Sequence, residues 1–169
     1  RPRSRLPHHH PAAAVLSTRE PGKAEVLGSS LISSPAGAGK VVVPRLGHFA
    51  QEGRTVQMFA IKKTCEVVNE LRGQFEKPDR PFHFVGHQAN LRMLETVVRR
   101  CEIGPEQHHT NCEWYGNTGA ASAASVVSMN WDKWMPSDDI ALAGVGSGLS
   151  WSGYLLRFGG DSESERGAR

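Results

Sequence analysis

Two polar segments of the chain combine residue types that can stabilise a developing negative charge. The segment 87–90 (His-Gln-Ala-Asn) follows a short apolar run, and the segment 116–119 (Gly-Asn-Thr-Gly) leads into a stretch of small residues. A histidine and an asparagine aimed at one point form a neutral pair of hydrogen-bond donors, which suits an oxyanion or an enolate. Taken singly, His87 is more often a hydrogen-bonded structural histidine, and Asn117 is more often a turn residue or a helix cap.

Glycine-rich motifs elsewhere in the chain do not match a nucleotide site. The segment 36–40 (Ala-Gly-Ala-Gly-Lys) resembles a phosphate-binding loop, but Ser34 and Val41 stand where that motif requires Gly and Ser or Thr. The glycines within 144–148 lack the GxGxxG spacing and lie between two predicted strands rather than before a helix. We therefore expect neither a phosphate-binding loop nor a dinucleotide site.

Two of the cysteines and two nearby histidines are candidate metal ligands. Cys101, His108, His109 and Cys112 are the right residue types for zinc, but their spacing matches no common structural zinc site. Ordinary loop residues with a partly buried thiol are the preferred interpretation, so no metal is predicted. Three cysteines, an odd number without a CxxC pattern, also argue against a disulfide framework and favour the cytoplasm.

The composition sets further bounds on the function. The chain has 169 residues, 38% of them hydrophobic, with a formal net charge of +3. That apolar content can form a core, and a charge of +3 does not require nucleic acid as a partner. No apolar run reaches the ~18–20 residues of a membrane span, and no secretory signal precedes Pro11. Because the chain begins with Arg1 rather than Met, we expect it to be a piece of a longer protein.

The elements that must position His87 and Asn117 alternate between strands and helices. Apolar periodicity and turn residues predict strands at 12–16, 24–27, 82–85, 140–145 and 150–158, and helices at 54–71, 90–101 and 120–129. Gly73 is the expected stop of the first helix. This alternation predicts an α/β layered fold with a mixed sheet. Both candidate residues then fall at strand-to-helix junctions, where such sheets collect their active sites.

Three segments of the chain together resemble one enzyme family. They are 87–92 (His-Gln-Ala-Asn-Leu-Arg), 116–122 (Gly-Asn-Thr-Gly-Ala-Ala-Ser) and 144–151 (Gly-Val-Gly-Ser-Gly-Leu-Ser-Trp). In this order and spacing they resemble the C-terminal half of β-ketoacyl-acyl-carrier-protein synthase III, a thiolase-fold condensing enzyme. The resemblance runs from about Ala12 to Phe158 and is strongest from Gly47 onward.

The resemblance implies a fold and a division of the chain. The implied fold is the C-terminal half of a thiolase-like layered α/β/α sandwich with a mixed sheet. Residues 1–11 are expected to form a flexible arm, and 12–48 a strand and loop segment that joins an N-terminal half. Residues 49–158 would form the C-terminal ketoacyl synthase III-like domain, and 159–169 a disordered tail.

The resemblance also implies a reaction, the decarboxylative Claisen condensation of acyl-CoA with malonyl-carrier protein in fatty-acid or related polyketide biosynthesis. A cysteine in the N-terminal half would carry the acyl group. His87 and Asn117 would donate hydrogen bonds to the malonyl thioester oxygen, and the backbone N–H of Ser147 would serve the acyl oxyanion. No cofactor is implied beyond the two substrates.

The implied partners are the acyl carrier protein and the Cys-bearing N-terminal half, in cis or in trans, with a homodimer for the whole enzyme and neither nucleic acid nor membrane. Arg92 matches a family position that helps to dock the acidic carrier protein. Arg99 and Arg100 lie two turns further along the same predicted helix and extend that basic patch. A solvated helix face is the alternative interpretation of all three arginines.

The sequence departs from the family where the nucleophile is concerned. Cys65 falls within a predicted helix, Cys101 ends another, and Cys112 precedes the Asn117 turn, so none is assigned as the nucleophile. Two hypotheses therefore stay open. The chain is part of a condensing enzyme, or it is an inactive truncated remnant or interaction subunit of a thiolase-fold partner. A small zinc or nucleic-acid module is a third, weaker possibility.

Overall fold

The computed structural model describes residues 22–42 and 44–159. The predicted arm at 1–11, the predicted strand at 12–16 and the predicted tail after Gly159 lie outside the described residues. The helices and strands, in chain order, are β1 (Ala24–Ser33), β2 (Val41–Val42), β3 (Ala50–Gln51), α1 (Gly53–Phe75), β4 (Phe82–Gly86), α2 (Leu91–Arg100), α3 (Cys112–Tyr115), α4 (Ser122–Met129), β5 (Asp139–Gly146) and β6 (Ser150–Phe158).

Four of the strands form one mixed sheet in the order β1-β6-β5-β4. Strands β4 and β5 run parallel, with Phe82 opposite Asp139 and Gly86 opposite Ala143. Strand β6 pairs antiparallel with β5 on one side and with β1 on the other. The α/β fold with a mixed sheet that the sequence predicts is confirmed.

Helices cover both faces of the sheet. On one face, α1 and α2 pack against side chains that include Phe84, Ala141 and Leu155. On the other face, Val126 and Val127 of α4 pack with Trp134 against Val85, Ile140 and Leu142. Since alternate residues of a strand point to opposite faces, each central strand contributes to both cores. This packing is the layered α/β/α arrangement.

Helix α1 continues past Gly73, so the prediction that this glycine ends the helix is wrong. The helix runs to Phe75, and Glu76 then leaves the helical region at ψ 131° while its N–H donates to the carbonyl of Arg72. The last residue of the helix, Phe75, packs closely over Gly28 of β1. A Cβ added to Gly28 would lie only 2.5 Å from Cζ of the Phe75 ring. That packing offsets the cost of a helical glycine, about 1 kcal/mol relative to alanine.

Strand β1 is longer than predicted and extends from Ala24 to Ser33 rather than ending at Leu27. The part beyond Leu27 contains Gly28, a residue of low strand propensity, and three serines. It nevertheless pairs with β6 as far as Ser33 opposite Ser150, with a bulge between Val26 and Gly28. Long-range pairing therefore overrides the local preference.

The predicted helix at 120–129 begins as a 3₁₀ turn at Gly119–Ala121 and becomes α-helical at Ser122. The predicted helix at 90–101 is confirmed as α2, with Asn90 as its N-cap. Within the two described ranges, no helix has both the length and the apolar character needed to cross a membrane.

Candidate active site

His87 lies directly after β4 and is held at both its backbone and its ring. Its N–H donates to the carbonyl of Ala143 on β5 at 2.8 Å, which extends the parallel ladder by one bond. Its Nδ1 lies 2.7 Å from Oγ of Ser122, the first residue of α4. Burial lowers the pKa of His87 below its usual 6.5, so the imidazole is neutral at pH 7.

Gln88 and Ser122 organise this junction, and sequence reasoning missed both roles. Gln88 is completely buried. Its Oε1 accepts hydrogen bonds from Thr110 Oγ1 at 2.7 Å, from Asn111 N at 3.0 Å and from Cys112 N at 3.2 Å. Its Nε2 donates to the carbonyl of Gly86 at 2.7 Å. The position of the polar Gln88 next to His87 was the only sequence signal of this role. The burial of Gln88, on which the role depends, is a property of the tertiary structure.

Asn117 is exposed and forms a tight turn. Its Oδ1 accepts a hydrogen bond from the N–H of Gly119 at 2.9 Å. Gly116 and Gly119 have φ of 63° and 65°, a region that glycine adopts without strain. Asn117 therefore forms the turn that its position after Gly116 predicts. Because this turn uses the amide oxygen, the Nδ2 group keeps its N–H donors for another acceptor.

The structure brings His87 and Ser147 to the same end of the sheet. Strands β4 and β5 are parallel, so their carboxyl ends meet, and His87 and Ser147 directly follow these two strands. Asn117 lies five residues before Ser122, whose hydroxyl contacts the His87 ring. This edge is where α/β sheets place ligands.

Ser147 is exposed in the turn between β5 and β6. The neighbouring Leu149 is buried beneath the 3₁₀ turn at Pro35–Lys40, where a Cβ on Gly37 would lie 2.7 Å from Leu149 Cγ. The N–H of Ser34 also donates to the carbonyl of Leu149 at 2.8 Å. Residues 34–37 therefore pack against the turn that carries Ser147.

The three predicted docking arginines are all exposed on α2. Arg92 and Arg99 are seven residues apart, which places them on one helix face about 10 Å from each other along the axis. Arg100 flanks that stripe, and Arg99 donates to Thr96 Oγ1 at 3.2 Å. Within the part of the chain that the structure describes, none of the three forms a salt bridge.

The candidate zinc ligands of the sequence lie in separate environments. Cys101 lies beside Cys65, and burial raises the pKa of its thiol to about 12. Cys112 donates to the carbonyl of Gln88, while His109 Nε2 lies 3.0 Å from His83 Nδ1. No group of three or more metal-ligating side chains occurs within residues 22–42 and 44–159.

A cavity of about 600 Å³ lies at the opposite edge of the sheet from His87. Its lining includes Arg80 and Phe82, at the amino end of β4. Five residues of extended chain separate Phe82 from His87, which corresponds to about 17 Å. The candidate site therefore lies at the carboxyl ends of β4 and β5 and not in this cavity.

Comparison with known proteins identifies the domain. Residues 77–158 match the family model of the C-terminal domain of 3-oxoacyl-[acyl-carrier-protein] synthase III. The chain is 28% identical over 150 residues to the β-ketoacyl-[acyl-carrier-protein] synthase III of Aquifex aeolicus, a match that covers 87% of the chain and 48% of that protein. It is 31% identical over 153 residues to the corresponding synthase of Oceanobacillus iheyensis, with the same two coverages.

The fold comparison agrees with the sequence comparison. The crystal structure of the Aquifex aeolicus synthase superposes with a TM-score of 0.75 and 24% identity, covering 83% of the chain and 47% of that structure. The chain thus spans about half the length of the curated relatives it matches. The predicted thiolase-like sandwich is confirmed, and the chain is a 3-oxoacyl-[acyl-carrier-protein] synthase III-like protein that corresponds to the family's C-terminal domain.

Proposed function

We propose that this domain supplies the hydrogen-bond donors of a ketoacyl synthase III-type condensing site. The reaction joins an acyl group from acyl-CoA to the two-carbon unit of malonyl-carrier protein and belongs to fatty-acid or related polyketide biosynthesis. A Cys-bearing N-terminal half, in cis or in trans, completes the site. We expect the reaction to occur in the cytoplasm and the complete enzyme to be a homodimer.

The chemistry assigns each residue a step. The acyl group rests as a thioester on the cysteine of the other half, and the malonyl thioester loses CO2 to leave an enolate. His87 Nε2–H and Asn117 Nδ2–H donate to the enolate oxygen as its negative charge develops. The enolate carbon then attacks the acyl carbon, and the cysteine thiolate leaves. The backbone N–H of Ser147 donates to the oxyanion formed in this attack.

The observation that carries the proposal is the state of the His87 ring. Burial keeps the imidazole neutral, and Ser122 Oγ occupies Nδ1 at 2.7 Å. Among the described residues no hydrogen bond uses Nε2, so this nitrogen is available to a substrate. Asn117 has its oxygen engaged by Gly119 and its nitrogen available in the same way. A neutral pair of donors at one sheet edge supports enolate stabilisation.

The exposed arginines of α2 support carrier-protein docking at the same end of the domain. Helix α2 begins at Leu91, four residues after His87, so Arg92 lies close to the candidate site. Arg99 and Arg100 add positive charge along the helix. An acidic partner would be attracted to this face in a salt-sensitive manner.

The test is a condensation assay with the chain reconstituted with a Cys-bearing ketoacyl synthase III half. His87→Ala and Asn117→Ala are each expected to lower the rate by about 10²–10³, the usual effect of losing one oxyanion donor. The exposed residues His48 and Asn69 provide matched controls, and His48→Ala and Asn69→Ala are expected to leave the rate unchanged. Full activity of both site variants would exclude the assigned roles.

A second candidate function is that of an interaction subunit without chemistry of its own. The observation in its favour is the exposure of Trp114 and Tyr115, large aromatic side chains just before the Asn117 turn. Exposed apolar groups of this kind mark partner surfaces. Binding to the Cys-bearing half by calorimetry, together with no condensation in the mixture, would favour this function over the first.

A further inference from the structure

Ser122 lies between two groups that together fix the direction of its hydroxyl proton. The backbone N–H of Gln88 points at Ser122 Oγ over 3.1 Å, and a backbone N–H can only donate. Oγ is therefore an acceptor in that bond. The second contact of the same oxygen is His87 Nδ1 at 2.7 Å, where either atom is able to donate.

Burial decides between the two directions of the second bond. Ser122 has an exposed fraction of 0%, so its hydroxyl proton needs a protein acceptor. Among the described residues, Ser122 Oγ contacts only His87 Nδ1 and Gln88 N. If His87 Nδ1 donated, the hydroxyl proton would have no acceptor. If Oγ–H donates to Nδ1, the hydroxyl proton, Nδ1 and the N–H of Gln88 each have a partner.

We propose that Ser122 is a positioning residue that holds the neutral His87 imidazole in its Nε2–H tautomer. This inference rests on the proposed function, in which Nε2–H donates to the enolate oxygen. With the opposite tautomer, Nε2 would present a lone pair to the developing negative charge and would repel it. Ser122 is also the first residue of α4, three residues after Gly119, which closes the Asn117 turn, so its hydroxyl ties the His87 ring to the helix that follows that turn.

Gln88 maintains the geometry on which this assignment depends. Its side chain joins the carbonyl of Gly86 to the loop at 110–112, and its backbone N–H occupies the Ser122 oxygen. If Ser122 Oγ accepted hydrogen bonds from both Gln88 N and His87 Nδ1, its own proton would have no acceptor among the described residues. The strand end, the loop before α3 and the start of α4 are held together by these two polar residues.

Nitrogen-15 NMR of the chain alone tests the proposal without substrate. The shifts of the two His87 ring nitrogens report which one carries the proton, and a His87→Gln variant assigns the signals. In the wild type we expect Nε2 protonated, Nδ1 accepting, and a slowly exchanging Ser122 hydroxyl proton. A ring protonated on Nδ1 would overturn the proposal before any other variant is made.

Three variants separate positioning from packing. Ser122→Ala is expected to raise the population of the Nδ1–H tautomer several-fold and to abolish the hydroxyl signal, and Ser122→Thr is expected to restore both. Ser128→Ala removes an exposed serine from the same helix and should change neither. Ring-nitrogen shifts unchanged in a folded Ser122→Ala variant would refute the proposal. If Ser122→Ala does not fold, the wild-type tautomer and the wild-type hydroxyl signal decide.

The outcome is distinguishable from a failure of the proposed function. The tautomer is read from the chain alone, whereas condensation is read from the reconstituted enzyme. An Nδ1–H ring in the chain alone, together with a loss of condensation in His87→Ala, would reject the role of Ser122 and keep His87 in the function. An Nε2–H ring that depends on Ser122, together with no effect of His87→Ala on condensation, would reject the function and keep the positioning.

Discussion

At the scale of single residues, burial sets the reactivity of the cysteines. Cys101 has an exposed fraction of 3% and follows the last residue of α2 beside Cys65. Burial, followed by the contact with Cys65, raises the pKa of its thiol from 9.0 to about 12. Since only a thiolate is a good nucleophile, Cys101 is poorly suited to carry an acyl group. This agrees with the sequence analysis, which does not assign Cys101 as the nucleophile.

We therefore expect Cys101 to resist alkylation in the folded chain. At pH 8, its thiolate population should be about 1,000-fold below that of an ordinary thiol, because the pKa rises from 9.0 to about 12. Iodoacetamide labelling followed by peptide mass spectrometry measures the rate, with the half-buried Cys112 as internal comparison. Labelling of Cys101 as fast in buffer as in urea would contradict the raised pKa.

Protonation of His109 should weaken the fold at acidic pH. Burial, followed by the nearby His83, lowers the pKa of His109 from 6.5 to about 4. Between those values the unfolded chain binds the proton and the folded chain does not, so the free energy of unfolding falls as the pH drops from 6.5 toward 4. Urea unfolding across this range measures the slope.

A variant isolates the His109 contribution to this slope. His109→Gln cannot titrate, so its unfolding free energy should fall less steeply between pH 6.5 and about 4 than that of the wild type. His48→Gln, at an exposed position, serves as the control and should keep the wild-type slope. Equal slopes for His109→Gln and the wild type would exclude the effect.

At the scale of elements, a buried ion pair joins the strands at the edge opposite the candidate site. Asp139 begins β5 with an exposed fraction of 1%. Arg157 of β6 donates to both of its carboxylate oxygens, at 2.9 and 2.6 Å, and Arg80 adds a third bond at 3.1 Å. Such a group stabilises the fold only while each buried charge keeps its partner.

Asp139→Asn is expected to lower the free energy of unfolding by about 3–5 kcal/mol, because it removes the buried carboxylate charge that Arg157 and Arg80 contact. Urea denaturation followed by circular dichroism measures the loss. Asp132→Asn is the matched control, since the Asp132 side chain is exposed and its contact with Lys23 spans 3.6 Å. We expect a change below about 1 kcal/mol there. Equal effects of the two variants would show that the buried pair contributes no more than a surface pair.

At the scale of the whole molecule, large apolar side chains remain on the surface near the candidate site. Trp114 is 83% exposed, and Tyr115 follows it on α3. Met129 at the end of α4 is exposed as well. Under the proposed function, we expect the Cys-bearing half to contact this region.

Tryptophan fluorescence tests that contact. Acrylamide should quench Trp114 efficiently in the chain alone and much less after the Cys-bearing half is added, because association removes the indole from water. The difference between the wild type and Trp114→Phe isolates this signal from those of the other three tryptophans, Trp131, Trp134 and Trp151. Undiminished quenching in a mixture that is active in condensation would show that the contact lies elsewhere.

The sequence by itself predicted the elements whose signals are local. The apolar runs at 82–85, 140–145 and 150–158 correspond to β4, β5 and β6, and Asn90 caps α2 as its position before an amphipathic segment indicates. The three motifs also identified the family. These features are encoded within short windows, because periodicity, caps and turns depend on neighbouring residues.

Only the tertiary structure decided the features that depend on distant residues. The second half of β1 is a strand because β6 lies beside it, and α1 passes Gly73 because Phe75 packs over Gly28. The burial of Gln88 and the bond between Ser122 and His87 also join segments remote in sequence. Pairing energy, desolvation and hydrogen-bond satisfaction arise only when such segments meet, so no local pattern encodes them.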